Sequence, residues 1–178
     1  MTVDDDNVGT LGTPCGAESP KRISYDMPDV RFYHLTATPL EASLPTLLER
    51  SLERGWRVIV RCGSEAGMAA LDAALWTFRD DAFLPHGTSG GPHPPLQPIY
   101  LTLGDENPNA ATVLMLVDGA RATLAEMAAF DRTCLLFDGG DERAVESARA
   151  DWRAVTAAGL PAQYWAQDQG RWVQKASS

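Results

Sequence analysis

Three runs of apolar residues constrain the fold of this chain more than any other feature. RVIVRC (57–62), ATVLMLVDG (111–119) and TCLLFDGG (133–140) are nearly continuous in apolar side chains and do not alternate with polar ones. Strands that are buried on both faces have this pattern, and such strands belong to parallel sheets that helices cover on both sides. The runs therefore predict an α/β protein.

Segments with helical spacing separate these runs. Thr38 is predicted to cap a first helix that Gly55 ends, and Ser64 is predicted to cap a second. A short helix is predicted over residues 123–130, and DERAVESARADWRAVTAAG (141–159) predicts a long last helix, because acidic residues lead it and a glycine ends it.

Further strands are predicted at VRFYHL (30–35) and QPIYLTL (97–103), with QYWAQD as an edge strand and RWV as its tail. The alternation favours a three-layer Rossmann-like fold, a mostly parallel sheet with helices on both faces. The first strand is followed by TATPLEAS, which contains no glycine, although phosphate-binding loops need glycines there. The fold is therefore predicted to lack a glycine-rich phosphate loop.

Composition bounds the organisation of the chain. A length of 178 residues, with 44% hydrophobic and 22% charged, favours one globular domain, placed at residues 29–178. Residues 1–28 are polar, with three successive aspartates, and are predicted to form a disordered leader. No secretory pattern or long apolar run is present, so a cytoplasmic protein without membrane contact is expected.

The formal net charge of −9 disfavours direct binding to DNA. A phosphate backbone repels an acidic protein unless its basic residues are concentrated in one patch. The cysteines Cys15, Cys62 and Cys134 are odd in number and widely spaced, which favours reduced thiols over a disulfide framework or a zinc site.

Residues that could support catalysis are scattered. His86 and His93 lack a cysteine or acidic partner at ligand spacing, and no nucleophile stands beside a base. The sequence therefore predicts no catalytic residue, cofactor or metal. The alternative is a nucleotide- or metal-dependent α/β enzyme, with His86 and either Asp118 or Asp138 at strand ends.

The last helix carries a more specific pattern. Arg149 and Arg153 are four residues apart and share a helix face with Trp152. Two guanidinium groups beside an aromatic ring suit a carboxylate attached to an apolar side chain, such as the C-terminus of a peptide. In the alternative interpretation, the arginines are solvated and pair with Glu146 and Asp151, and the Trp152 ring lies mostly in the core.

LDAALWTFRDDAFLPHG (71–87) runs from the second helix into a long loop over residues 77–98. With the RFYHL strand before it and FDGGDERAVESARADWRAVTAAG after it, this stretch resembles the chi subunit family of bacterial DNA polymerase III. The resemblance covers roughly residue 29 to the C-terminus. It implies a non-catalytic accessory protein of the clamp-loader complex, with a nucleotide-binding-like α/β fold and a role in DNA replication.

The resemblance also implies two partner surfaces. The family's aromatic residues that face the psi subunit match Trp76 and Phe83, while Pro85 and His86 would shape the loop or touch the partner. This partner is expected to be psi or a clamp-loader component, or alternatively a repair helicase.

The second surface binds the acidic C-terminal tail of the single-stranded DNA-binding protein in the family. Arg149 matches the family's key arginine, in a register set by the Ala-Gly end of the helix. Trp152 falls where a tyrosine is common, Arg153 where a lysine is common, and Phe137 near an apolar position of the pocket. An earlier basic position of the helix is Val145 here, so tail binding is expected to be weaker or more salt-sensitive.

Overall fold

Strands and helices alternate along residues 27–79 and 83–178, which the computed structural model describes. The strands are β1 Asp29–Leu35, β2 Val58–Cys62, β3 His86–Thr88, β4 Ile99–Thr102, β5 Val113–Val117, β6 Arg132–Asp138, β7 Ala162–Asp168 and β8 Arg171–Ser177. The helices are α1 Leu40–Glu53, α2 Glu65–Trp76, α3 Leu124–Ala129 and α4 Glu142–Ala157, with a short 3-10 helix at Pro94–Leu96.

The strands form one sheet in the order β3-β4-β2-β5-β6-β1-β7-β8. Neighbouring strands are parallel except β7 and β8, which are antiparallel. The predicted α/β fold, with a mostly parallel Rossmann-like sheet, is confirmed. From β1 the chain passes through α1 to β2 on one side, and from β6 it passes through α4 to β7 on the other. The two connections therefore diverge at the carboxyl ends of β1 and β6, where open α/β sheets leave a crevice.

Each face of the sheet has its own core. Leucines of α1 and α2 pack with Tyr33 and Leu35 on one face, and side chains of α3 and α4 pack with Val30 and Phe32 on the other. Because side chains alternate along a strand, His34 lies on the same face as Phe32, beneath α4. This alternation places the aromatic residues of the candidate site.

Three predictions about local structure are corrected. Pro39, and not Thr38, is the N-cap of α1, because the Thr38 hydroxyl is hydrogen-bonded to Ser43 and Gln167. RWV belongs to β8, which pairs with β7, so QYWAQD is an interior strand and β8 forms the edge. Within the predicted loop 77–98, β3 pairs with β4.

The glycines of GSEAG, after β2, make room for Asp118 at the end of β5. A Cβ on Gly63 would stand 1.8 Å from the Asp118 carbonyl oxygen, and one on Gly67 would stand 2.2 Å from Asp118 Oδ2. Ser64 Oγ donates to Asp118 Oδ2 at 2.5 Å and accepts from Gly67 N at 3.0 Å, which confirms the predicted cap. These glycines therefore allow the end of β2 and the first turn of α2 to pack closely against the end of β5.

Gly63→Ala is expected to lower the free energy of unfolding by about 1–3 kcal/mol, because backbone must shift to admit the methyl group. Urea denaturation followed by circular dichroism measures this change. Gly140→Ala is the control, since its nearest atom is Asp138 Oδ1 at 3.3 Å, the end of a flexible side chain. Equal denaturation midpoints for the two variants would contradict the prediction.

The predicted leader, residues 1–28, lies outside the described residues except for its last two, and so does Cys15. Cys62 and Cys134 are buried and free, and burial raises the pKa of each thiol to about 12. Within the described ranges, no helix has the length and hydropathy needed to cross a bilayer.

Candidate functional site

An aromatic cluster lies beneath α4, where β6, β1 and β7 run side by side. Trp152 packs edge-on against Phe32 with ring centroids 5.4 Å apart, and lies 6.1 Å from Tyr164. Phe137 stacks on His34 at 5.0 Å. Phe32 is fully buried, whereas the other four rings are partly exposed. The cluster therefore has a buried floor and ring surfaces that a ligand can reach.

His34 and Tyr164 join this cluster through a hydrogen bond of 2.8 Å between His34 Nδ1 and Tyr164 Oη. Burial lowers the pKa of His34, the positive charge of Arg149 lowers it further, and Asp138 opposes both. Burial raises the pKa of Tyr164, and Arg149 opposes that rise. The imidazole and the phenol are thus both neutral at pH 7, and the Arg149 charge acts on both rings.

Two of the three arginines of α4 are available to a ligand beside the aromatic cluster. Arg149 and Arg153 are exposed, and neither forms an ion pair with any residue in 27–79 or 83–178. Asp151 instead pairs with Arg121 at 3.1 Å. The predicted pairing of these arginines with Asp151 is therefore absent from the described residues, whereas Trp152 packs against the core on the α4 side, as the alternative interpretation expects. We call Arg149, Arg153 and the partly exposed rings around them, those of Trp152, Phe137, His34 and Tyr164, the Arg149 surface.

Two members of this surface were not predicted as site residues. The sequence predicts only strands for the segments VRFYHL and QYWAQD, which contain His34 and Tyr164. The alternation of VRFYHL puts His34 on the face of Phe32, which is a signal in the sequence. The pairing of β1 with β7, which aligns Phe32 with Tyr164, is not visible in either segment alone.

Neutral His34 predicts a pH dependence of stability. Because the folded-state pKa is lowered, the unfolded chain takes up the proton first as the pH falls through about 6.5. The stabilising contribution is therefore present above that pH and is lost as the pH falls towards the folded-state pKa. The melting temperature should fall more between pH 7.5 and 5.5 in the native chain than in His34→Asn. A matched control is His93→Asn at an exposed position, and equal falls in all three proteins would refute the prediction.

A second candidate surface lies at the other edge of the sheet, beside β3. Trp76 at the end of α2 is 59% exposed and Phe83 is 68% exposed, and their ring centroids are 5.9 Å apart. Such large apolar rings on a surface are typical of interface anchors. With Pro85 and His86 they form what we call the Trp76 surface.

The rings of the Trp76 surface stand on buried neighbours. Leu84, next to Phe83, is buried in the α1–α2 core. His86 is also buried: its Nδ1 donates to the Leu84 carbonyl at 2.7 Å, its ring lies 4.8 Å from that of Trp76, and its Nε2 lies 3.2 Å from Asp72 Oδ1. Pro85 between them is half-buried. His86 therefore holds the loop from beneath and leaves Trp76 and Phe83 as the exposed rings.

The crevice at the carboxyl ends of β1, β5 and β6 has a volume of about 1000 Å³. In nucleotide-binding sheets, backbone N–H groups after the first strand hold phosphate here. In this chain the amides of Thr36, Ala37 and Thr38 all donate to Gln167 Oε1, at 3.1, 2.8 and 3.0 Å. A side chain of β7 therefore occupies the position that a phosphate would take.

The residues of the alternative enzyme are not brought together. His86 is in β3, and two strands separate β3 from β5, whose end carries Asp118. Asp138, at the end of β6, is one strand farther. Within the described part of the chain, no group of three or more histidine, cysteine or acidic side chains could hold a metal ion.

A family model described as "DNA polymerase III chi subunit, HolC" matches residues 27–163. The chain belongs to the DNA polymerase III chi subunit family. The resemblance carried by LDAALWTFRDDAFLPHG is thus confirmed, and the family places the chain among proteins of DNA replication. Both candidate surfaces fall almost wholly within the match, with only Tyr164 beyond it, whereas β8 and the end of β7 lie outside.

Two relatives bear the name of this family. The chain is 29% identical over 91 residues to the probable DNA polymerase III subunit chi of Rickettsia prowazekii, a segment covering 51% of this chain and 55% of the relative. It is 32% identical over 92 residues to the DNA polymerase III subunit chi of Pseudomonas aeruginosa, a segment covering 50% of this chain and 63% of the relative. The chain therefore spans between half and two thirds of the length of these relatives.

Proposed function

We propose that this protein is a non-catalytic accessory subunit of DNA polymerase III. Its Arg149 surface binds the C-terminal tail of the single-stranded DNA-binding protein, and its Trp76 surface binds the psi subunit or a clamp-loader component. The protein thereby links the polymerase to template strand that is coated by the binding protein.

The observation that carries this proposal is a guanidinium group, that of Arg149, which pairs with no described carboxylate and lies beside partly exposed aromatic rings. A peptide tail that ends in an aromatic residue presents a ring and a carboxylate next to each other. The ring packs against Trp152, Phe137 and Tyr164, and the carboxylate accepts hydrogen bonds from Arg149. Arg153, one helical turn away, attracts the acidic residues that precede the end of the tail.

The positions of the two surfaces support a linking role. Four strands lie between β3, which borders the Trp76 surface, and β1, which carries His34 of the Arg149 surface. The tail and the second partner can therefore bind at the same time without contact. The Gln167 side chain supports the non-catalytic part of the proposal, because it accepts hydrogen bonds from the amides after β1 that a nucleotide phosphate would need.

Binding of one tail is expected to be weak. Each charge-assisted hydrogen bond contributes roughly 1.5–3 kcal/mol, and only a short segment is held. A half-buried valine, Val145, also takes the place of one basic residue of the family. Several tails on one oligomer raise the apparent affinity by keeping the local tail concentration high.

A fluorescence-anisotropy titration with a labelled peptide of the tail tests the proposal, at low and moderate salt. Saturable binding is expected, weaker at moderate salt, and lost for a peptide that lacks the last residue. If the full and shortened peptides bind equally, the carboxylate and ring are not recognised, and the proposed tail site is wrong.

A further inference from the structure

A second group of arginines lies on the other face of the sheet, on the side of α1. A pocket of about 220 Å³ lies between the last turn of α1, the first residues of β1 and β6, and the β7–β8 hairpin. Four arginines line it, which are Arg31, Arg50, Arg54 and Arg132. The site is distinct from the Arg149 surface, since its apolar lining belongs to the α1-side core.

The positive charge of this pocket is only partly neutralised. Asp29 binds Arg31 Nε at 2.8 Å and Arg132 Nε at 2.7 Å. Arg50 and Arg54 are exposed and form no ion pair with a residue of 27–79 or 83–178. Arg50 and Arg54 therefore keep positive charges that no described carboxylate neutralises. An acidic chain needs such a concentration of basic residues to bind phosphate.

The ring of Trp56 positions two of these four arginines. The guanidinium carbons of Arg54 and Arg132 lie 5.1 and 4.9 Å from the ring centroid of Trp56. Stacking on a ring restrains a guanidinium group while its N–H groups stay available at the edge of the plane. A planar fork of donors matches two oxygens of a phosphate group.

The rest of the lining is apolar and aromatic. Trp172 of β8 packs edge-on against Tyr33 of β1 at 4.9 Å, and Trp165 of β7 lines the pocket beside them. Both tryptophans lie beyond residue 163, where the family match ends. The pocket is therefore completed by two residues that lie outside the segment that matches the family. Its volume is below the usual range for drug-sized ligands, about 300–1,000 Å³, which suits one ring and one phosphate group.

We propose that this pocket binds one nucleotide unit, with its phosphate held by Arg50 and Arg54 and its base against the aromatic wall. The recognised chemistry is a phosphate beside an aromatic heterocycle, in a free nucleotide or in single-stranded nucleic acid. The two guanidinium groups of Arg50 and Arg54 favour phosphate, which carries up to two charges, over a peptide carboxylate, which carries one. This site does not depend on the proposed tail binding.

Anisotropy titrations of the full chain with a labelled short oligothymidylate, at several salt concentrations, test the proposal. Saturable binding is expected at low salt. Arg50→Gln combined with Arg54→Gln should weaken it at least about tenfold. The slope of the logarithm of the binding constant against that of the salt concentration should become shallower by about 0.7, because the two arginines hold one phosphate group.

The control is Arg143→Gln combined with Lys175→Gln, which removes the same charge at exposed positions outside the pocket. It should leave the affinity within about twofold of the native value. Equal losses in the two double variants would show a general charge effect and overturn the proposal. Absence of saturable binding at low salt would overturn it as well.

Competition identifies the source of the nucleotide. Displacement of the labelled strand by thymidine monophosphate shows that a free nucleotide suffices. Displacement by unlabelled strand alone assigns the site to single-stranded nucleic acid. Displacement by polyaspartate as effectively as by unlabelled strand of the same charge would overturn the proposal, because the pocket would then bind acidic polymers without recognising a nucleotide.

Discussion

Arg149→Ala will raise the Kd for the tail peptide of the single-stranded DNA-binding protein by about 10- to 100-fold. The substitution removes charge-assisted hydrogen bonds to the peptide carboxylate, each worth roughly 1.5–3 kcal/mol. It leaves that carboxylate beside aromatic rings without a donor. Since Arg149 is exposed and forms no ion pair with a described residue, the melting temperature should stay within about a degree of the native value. Anisotropy titration and a thermal melt measure the two quantities.

Two further variants make the result specific. Arg143→Ala removes an exposed arginine from the same helix and should not change the Kd by more than about twofold. Arg149→Lys keeps the charge and loses the planar fork, so it should bind with intermediate affinity. If Arg149→Ala binds the peptide like the native protein, the tail is held elsewhere and the Arg149 surface is not its site.

The double variant Trp76→Ala with Phe83→Ala will weaken binding of the psi or clamp-loader partner by at least about 100-fold. Exposed aromatic anchors at the centre of an interface contribute 2 kcal/mol or more each, and these rings are neighbours. Stability should change little, because both rings are mainly exposed while Leu84 and His86 keep their buried positions. Titration calorimetry with the purified partner from the same organism measures the effect.

Leu96→Ala is the matched control for this pair. Leu96 is 71% exposed, which is as open as the two rings, but it lies in the 3-10 helix and is not part of the Trp76 surface. The tail peptide should bind the double variant normally, and loss of both partners would indicate a folding defect. If a helicase loses binding while psi and the clamp loader do not, the surface serves the helicase instead.

Local patterns in the chain determined the fold class and most of its elements. The apolar runs at β2, β5 and β6 predicted strands that are buried on both faces, because burial on both sides requires apolar residues at consecutive positions. Ser64 is predictable as a cap because a capping side chain accepts a hydrogen bond from the backbone N–H group of a residue only three positions later. Such features depend on residues that are close together in the sequence, so they can be predicted from it.

Part of the candidate site could also be predicted from local patterns in the sequence. The spacing of Arg149, Trp152 and Arg153 places them on one helix face, whatever the helix packs against. His34 and Tyr164 are 130 residues apart and meet only because β1 pairs with β7. RWV lies in the exposed edge strand β8, and such a strand has too weak an apolar pattern to be predicted from the sequence.

The sequence by itself determined an acidic α/β chain of the chi subunit family with an arginine and an aromatic ring on its last helix. The tertiary structure alone decided what surrounds those residues. Gln167 accepts hydrogen bonds from three backbone amides about 130 residues away. Its Nε2 also donates to the Thr38 hydroxyl, which was predicted to cap α1. Four arginines scattered from 31 to 132 gather around one pocket. Contacts of this length depend on strand order, which local residue patterns do not encode.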